Sequence, residues 1–358
     1  MPHPLSGASL PLLRRMLREA GDVPLAKKAP LLGAAAGRAP FSALEKGMEG
    51  RLRSASEMKP PVFLLGHWRS GTTHLYNIMS LGEFGYVPPV ATGMPGEMLT
   101  LGKWLKPFLD KQLPDSRYID NIPVTPTSPQ EDEIALANLS PLSFYHGIYF
   151  PSRFDEWVDR GLFFEGASEE DIAGWEEAFV LFMRKLDRLF EGKQLLIKNP
   201  VYTARPAQLL KLFPGAKLVH LHRNPVDVFL SMKNFYEKLL PVMALQPYDH
   251  VDIEGTVLRV YDEMMRRLTE ETKELKAPQF TEIAYADLNA NPIGTVLRLY
   301  DELELGGFEE ARPRFEAYLG SIEGYQKNRF EKPKTVGTKV AEAWAPWFER
   351  WGYEKPAG

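Results

Sequence analysis

The stretch VFLLGHWRSGTT, residues 62 to 73, determines the fold class of this chain. Four apolar residues that suit a buried strand lead into a loop bracketed by Gly66 and Gly71, and two threonines then open a helix. This spacing is that of a nucleotide-phosphate loop, except that Thr72 stands where such loops carry a lysine. The loop N–H groups and the positive end of the helix favour an anion at this place.

The threonine at position 72 indicates which anion the loop binds. In a triphosphate-binding loop, the lysine reaches the β- and γ-phosphates. Arg69, two residues before Gly71, offers a planar fork of donors instead. We therefore expect the loop to bind an anion other than the tail of ATP.

Composition sets broad limits on the class of protein. The 358 residues are 44% hydrophobic and 25% charged, which allows one large α/β domain or two smaller ones. The net charge of −4 argues against a general nucleic-acid binder, and the lack of cysteine excludes disulfides and thiolate chemistry. No apolar stretch approaches the roughly 18 residues of a membrane span, and arginines interrupt the N-terminal segment. The sequence therefore predicts a cytoplasmic enzyme.

Apolar runs alternate with helical segments in the second half of the chain. The strands are predicted at 194–197, 216–221 and 279–284, and the helices at 205–213, 225–239, 254–275 and 292–303. Strands separated by helices predict a parallel sheet with helices on both faces. The predicted fold class is α/β, a three-layer P-loop-like fold with additional N-terminal helices.

The first 59 residues are rich in Ala, Leu, Lys and Arg and predict helices at 10–20 and 41–54. Pro60 and Pro61 then mark the entry into the first strand. We expect an N-terminal helical extension over residues 1–59 and an α/β domain over residues 60–358. The first helix combines leucines with three arginines, so it is expected either to lie on a membrane surface or to pack on the main domain.

A second anion-binding element is predicted at RNPVDVFLS, residues 223 to 231. Arg223 follows a strand and should lie at the carboxyl edge of the sheet, where α/β proteins bind ligands. Its guanidinium and the hydroxyl of Ser231 would together clamp a phosphate or sulfate. The alternative is a surface ion pair between Arg223 and Asp227 with an ordinary helical serine.

Together, RSGTT and RNPxDxxxS resemble the sulfotransferases that use 3′-phosphoadenosine 5′-phosphosulfate (PAPS), in particular the broad bacterial type. LLIKNP (195–200), IAYADL (283–288) and WAPWFERWGYE (344–354) are similar to further elements of that family. The resemblance runs from about residue 60 to the end. It implies a sulfotransferase domain over 60–358, whose first loop holds the 5′-phosphosulfate and whose second element holds the 3′-phosphate.

The resemblance also implies the residues that bind PAPS as co-substrate. Those of the two anion elements and the adenine side are His67, Trp68, Arg69, Ser70, Gly71, Thr72, Thr73, Arg223, Ser231 and Tyr285. A basic C-terminal flap at about 323–340 would add Lys327 and Arg329. Arg69 and Lys198 are the predicted catalytic cations at the sulfuryl and leaving oxygens. No metal is expected, because a sulfuryl group carries less charge than a phosphoryl group.

The general base is the open question in this prediction. Pro200 stands where the cytosolic branch of the family has its histidine. The acidic element SPQEDE, residues 128 to 133, resembles that of the bacterial group, so Glu131 or Glu133 is the expected base. Alternatively, Ser128 and Glu131 form a capping box at the start of a helix running to residue 138. His67 is a third candidate.

The acceptor is expected to be a hydroxyl compound. Aromatic and apolar residues crowd the segment from 104 to 157, which favours a lipid or another hydrophobic alcohol. A carbohydrate acceptor and an ordinary apolar core are the alternatives. Two rival functions also fit the first loop: a small-molecule or nucleoside kinase, and a non-catalytic nucleotide-binding module.

Overall fold

A computed structural model of the protein describes residues 3–109, 125, 127–322 and 334–356. At its centre is a five-stranded sheet in the order β2-β3-β1-β4-β5. The strands are β1 (Val62–Leu65), β2 (Phe84–Gly85), β3 (Gln194–Lys198), β4 (Lys217–His222) and β5 (Phe280–Ala284). The pairs β1–β3, β1–β4 and β4–β5 are all parallel, which confirms the predicted α/β fold.

Helices precede, separate and follow the strands along the chain. Within the described residues they are α1 (Leu10–Ala20), α2 (Leu25–Lys46), α3 (Thr72–Met79), α4 (Pro89–Gly93), α5 (Leu101–Leu109), α6 (Glu133–Leu136), α7 (Tyr145–Tyr149), α8 (Phe154–Phe163), α9 (Glu169–Leu189), α10 (Pro206–Leu212), α11 (Pro225–Met243), α12 (Ile253–Thr272), α13 (Tyr285–Ala290), α14 (Pro292–Glu302), α15 (Phe308–Ser321), α16 (Lys334–Ala343) and α17 (Ala345–Arg350). In this part of the chain, no helix is long and apolar enough to cross a bilayer.

The register of the sheet brings the carboxyl ends of its strands to one edge. Leu64 pairs with Lys198 of β3, and Leu65 pairs with His220 of β4. All four residues of β1 are buried, as expected for a parallel strand covered on both faces. The residues that directly follow these parallel strands therefore lie at the same edge of the sheet, where the candidate site is found.

The chain divides into two compact units. One unit comprises Met1–Lys59, Gly85–Lys193 and Lys238–Val251, and the other comprises Pro60–Phe84, Gln194–Glu237 and Asp252–Gly358. Helices α1, α2 and α9 belong to the first unit, while β1, β4 and β5 belong to the second. A boundary between the units falls at residues 59 and 60, although residues 85–193 group with the N-terminal segment. The functional division at this boundary stays a prediction.

Two predicted helices differ from those in the structure. The helix expected at 41–54 is α2, Leu25–Lys46, which begins earlier and carries Pro30 and Pro40 in its interior. A proline removes one backbone donor without always ending a helix, and the alanine-rich sequence around these prolines supports helix formation. The helix expected from Ser128 to residue 138 is reduced to α6, Glu133–Leu136.

Candidate active site

The loop between β1 and α3 has a backbone that only glycine tolerates at its two ends. Gly66 has φ +139° and Gly71 has φ +105°. A Cβ on Gly66 would lie 2.5 Å from the carbonyl oxygen of Leu221 in β4. The N–H of Gly66 donates to Oγ1 of Thr203, at 2.7 Å. The loop is thus anchored between two neighbouring segments, with the N-terminus of α3 behind it.

Gly71 also makes room for Tyr285, the first residue of α13. A Cβ on Gly71 would lie 2.3 Å from Cδ2 of the Tyr285 ring. Arg223 also approaches this ring, with its Cζ 4.7 Å from the ring centroid. This distance is that of a cation–π contact. Tyr285 therefore links the first loop to the arginine of the second anion element.

Arg69 makes the direct connection between the two anion elements. Its Nε donates to Oγ of Ser231 on α11 at 2.9 Å, and Nη1 of Arg223 donates to the carbonyl oxygen of Arg69 at 3.3 Å. The local pair considered as the alternative is also present, with Arg223 Nη2 3.7 Å from Asp227 Oδ2. Nε of Arg223 is buried and has no hydrogen-bond partner within the described residues, so the guanidinium retains a donor for an anion.

Lys198, the last residue of β3, adds a second cation near the start of α3. It is buried, and its Nζ donates to Oγ1 of Thr73 at 3.2 Å. A solvent-facing strand end is therefore excluded. The pair Lys198–Thr73 brings an ammonium group to the helix end, whose own positive potential favours an anion.

His67, Trp68, Ser70 and Thr72 are buried within the loop or at the start of its helix. Nδ1 of His67 lies 3.0 Å from the carbonyl oxygen of Trp68, which assigns the proton to Nδ1. Nε2 of His67 is buried and finds no hydrogen-bond partner in the described part of the chain. Burial lowers the pKa of His67 to about 4, so the imidazole is neutral at pH 7 and Nε2 carries no proton.

The C-terminal segment packs on His222 at the end of β4. Nδ1 of His222 and the hydroxyl of Tyr353 are hydrogen-bonded at 2.8 Å, and the Trp351 ring stacks on His222 at 5.0 Å. Burial and the neighbouring His220 lower the pKa of His222 to about 4. Because His222 directly precedes Arg223, this contact stabilises the end of β4 from which the second anion element begins.

The acidic element belongs to the first unit and has its own set of contacts. Glu133 is buried, and its Oε1 accepts hydrogen bonds from Ser143 Oγ at 2.7 Å and from the N–H of Phe144 at 2.9 Å. Glu131 is half-buried. The predicted capping box is wrong: α6 has Asp132 at its N-cap, and Ser128 Oγ instead accepts from the N–H of Thr125 at 2.8 Å. A local turn competes successfully with the helix for the serine hydroxyl.

Two predicted donor contacts, Lys327 and Arg329, lie outside the described residues, as does most of the flap at 323–340. The remainder of that segment is helix α16. Aromatic residues expected near the acceptor, including Phe144, Tyr149 and Trp157, are fully or almost fully buried in the first unit. In the described ranges, no group of His, Asp and Glu side chains has the arrangement of a metal site.

The fold and the loop define this protein as a P-loop-like α/β protein with a candidate anion site at the carboxyl edge of its sheet. The model of the sulfotransferase family matches residues 60–310, and the chain belongs to that family. Because this family transfers sulfuryl rather than phosphoryl groups, the kinase is set aside, and so is the non-catalytic module.

Curated relatives and solved structures agree with this membership. The chain is 28% identical over 299 residues to omega-hydroxy-beta-dihydromenaquinone-9 sulfotransferase Stf3 of Mycobacterium bovis and of Mycobacterium tuberculosis, covering 83% of this chain and 76% of each relative. The fold is similar to sulfotransferase STF1 of Mycobacterium tuberculosis, with a TM-score of 0.64, 17% identity and coverage of 94% and 92%. For sulfotransferase STF9 of Mycobacterium avium the TM-score is 0.66, with 14% identity and 98% coverage of both chains.

Proposed function

We propose that the protein transfers the sulfuryl group of PAPS to the hydroxyl group of a hydrophobic alcohol. The observation that carries this proposal is the hydrogen bond from Arg69 to Ser231. It joins the phosphate loop to the second anion element, so that one ligand with two anionic ends would contact both. PAPS has a 5′-phosphosulfate and a 3′-phosphate, which match these two elements.

The roles of the residues follow from the charge that develops during transfer. The oxygen of the alcohol attacks sulfur, the bond from sulfur to the bridging phosphate oxygen breaks, and adenosine 3′,5′-bisphosphate leaves. Arg69, Lys198 and the loop N–H groups would stabilise the negative charge on the sulfuryl and leaving oxygens. Arg223 and Ser231 would hold the 3′-phosphate, joined by Lys327 and Arg329 of the flap. The proton of the alcohol would pass to Glu131, Glu133 or His67.

The acceptor is proposed from the name of a relative and from the composition of the chain. Stf3, which is 28% identical to this protein, is named for a hydroxylated menaquinone. A hydrophobic alcohol of that kind is also the acceptor expected from the aromatic segment 104–157, in which Trp104 is exposed while Phe144 and Trp157 belong to the core. The enzyme would work without a metal and in the cytoplasm, where α1 would contact a membrane surface. The sulfotransferase domain would span residues 60–358.

A ligand-binding comparison tests the donor. Adenosine 3′,5′-bisphosphate is expected to raise the melting temperature more than ADP with magnesium does, because only the former has a 3′-phosphate for Arg223 and Ser231. Preference for ADP would contradict the proposal. Transfer of radiolabelled sulfate from PAPS into a total lipid extract then tests the acceptor. Label recovered only in water-soluble products would exclude a hydrophobic alcohol.

A further inference from the structure

The helical hairpin α1–α2 carries an open groove with a volume of about 540 Å³. Its principal lining residues are Leu10, Arg14, Leu17 and Arg18 from α1, with Lys28 and Leu32 from α2. Both helices belong to the same compact unit. The groove is lined by cations and leucines rather than by apolar residues alone.

Charged and apolar residues alternate along the groove. Residues 10, 14 and 17–18 lie on one face of α1, and Lys28 and Leu32 lie one turn apart on α2. Only residues 21–24 connect the two helices, so Arg18 and Lys28 lie near the closed end of the hairpin. Leu10 lies toward its open end. A surface that presents anionic groups beside apolar chains would match this lining.

The cations of the groove are available for a ligand. Arg14 and Arg18 are exposed and Lys28 is half-buried, and none of the three forms an ion pair with the residues that the structure describes. Arg15 on the same helix differs, since it binds Glu19 at 2.6 Å and Asp171 at 2.6 Å. The groove therefore concentrates positive charge that the protein itself does not neutralise.

The charge of the whole chain points to the same surface. Residues 1–48 contain seven Lys and Arg against three Asp and Glu, a net charge of +4, although the full chain carries −4. Leu25, the first residue of α2, is 71% exposed at the turn of the hairpin. Basic residues beside exposed leucine are the composition that binds an anionic lipid surface.

We propose that the α1–α2 groove binds the phosphate headgroups of anionic phospholipids and so holds the enzyme on a bilayer. Arg14, Arg18 and Lys28 contact the phosphates, and Leu25 enters the interfacial region. This inference rests on the proposed function, because a hydrophobic alcohol would be met in the bilayer. It adds the partner, an anionic membrane surface, and the residues that recognise it.

Vesicle flotation of the full chain tests the proposal. The wild-type protein is expected to float with vesicles of equal parts phosphatidylcholine and phosphatidylglycerol at low salt and to remain in solution with phosphatidylcholine alone. The triple variant Arg14→Gln, Arg18→Gln, Lys28→Gln should lose on the order of a hundredfold in partitioning, since each basic residue near the surface contributes about fivefold. Equal binding to both vesicle types, or to neither, would overturn the proposal.

A matched variant controls for net charge. Arg188→Gln, Lys273→Gln, Lys276→Gln removes three exposed cations elsewhere on the chain and should bind anionic vesicles like the wild type. Exchanging Arg14 and Arg18 for lysine and Lys28 for arginine should also keep most of the binding. If the matched variant loses as much as the groove variant, net charge rather than the groove is responsible. A dimer in light scattering that the groove variant abolishes would assign the groove to a second copy instead.

Binding of adenosine 3′,5′-bisphosphate to each variant separates this inference from the proposed function. The groove variant should bind this nucleotide with wild-type affinity, which also verifies that it is folded. Vesicle binding without any sulfate transfer would contradict the proposed function and leave the groove assignment standing. Sulfate transfer without vesicle binding would contradict the groove assignment and leave the proposed function standing.

Discussion

Nε of Arg69 donates a hydrogen bond to Oγ of Ser231 across 2.9 Å, which connects the phosphate loop to helix α11. We expect Arg69→Ala to lower kcat/KM for PAPS by about 10²–10³-fold, because it removes a donor to the developing charge. Arg69→Lys should recover little, since an ammonium lacks the planar fork that reaches the serine and an anion together.

A double-mutant cycle measures whether this hydrogen bond matters for the donor. The affinity for adenosine 3′,5′-bisphosphate is determined for Arg69→Ala, Ser231→Ala and the double variant. We expect a coupling of about 0.5–3 kcal/mol. Additive losses would mean that the two side chains bind the nucleotide independently.

Gly71→Ala is expected to be destabilising and to abolish nucleotide binding. The substitution puts a side chain on a residue with φ +105° and places Cβ 2.3 Å from the Tyr285 ring. Strain of this kind costs about 1–3 kcal/mol. Denaturant unfolding gives the loss, and Gly71→Ala combined with Tyr285→Ala shows its origin. The double variant should relieve the clash and retain the backbone strain, so full recovery would contradict the importance of φ.

Lys198→Met is expected to reduce sulfate transfer by at least about 10²-fold with a smaller effect on binding of adenosine 3′,5′-bisphosphate, because the ammonium acts on charge that develops in the transition state. Single-turnover rates and equilibrium binding measure the two effects. Thr73→Ser keeps the hydroxyl that accepts from Lys198 and serves as the control. Equal losses in rate and binding would make Lys198 a general anion-binding residue.

Glu131→Gln and Glu133→Gln should differ in which property they change. Glu133 is buried and accepts two hydrogen bonds from its own unit, so its replacement should cost about 1–3 kcal/mol of unfolding free energy. Glu131 does not cap helix α6, whose N-cap is Asp132, and we expect Glu131→Gln to lower kcat by about 10²–10⁴-fold. If neither variant loses turnover, His67→Asn tests the remaining candidate base.

Stability should fall as the solution is acidified from about pH 6.5 to pH 4. Burial lowers the pKa of His67 to about 4, whereas the unfolded chain protonates this histidine near its ordinary pKa of about 6.5. The unfolded state therefore binds more protons in this range, which costs the native state up to about 3 kcal/mol by pH 4. Denaturation at several pH values should show a shallower slope for His67→Asn than for the wild type. An unchanged slope would mean that other groups dominate.

The predicted and observed bounds of strands and helices agree best where a short segment contains all the residues on which the prediction depends. The strand Val62–Leu65, the loop after it and helix α1 have the bounds that the sequence predicts. Strand and helix bounds in the second half agree within a few residues. The helix predicted at Ser128 failed because Asx and Ser turns compete with helix starts, and both give the same sequence pattern.

The amino-acid sequence alone determined the α/β class, the anion loop and the sulfotransferase resemblance, because glycine spacing, apolar runs and the RNPxDxxxS element are local. Only the tertiary structure decided which side chains support them. Thr203 binds the N–H of Gly66 across 137 residues, and Tyr353 binds His222 across 131 residues. Such partners come into contact because parallel strands end at one edge of a sheet, and a local sequence pattern does not predict contacts between segments so far apart in the chain.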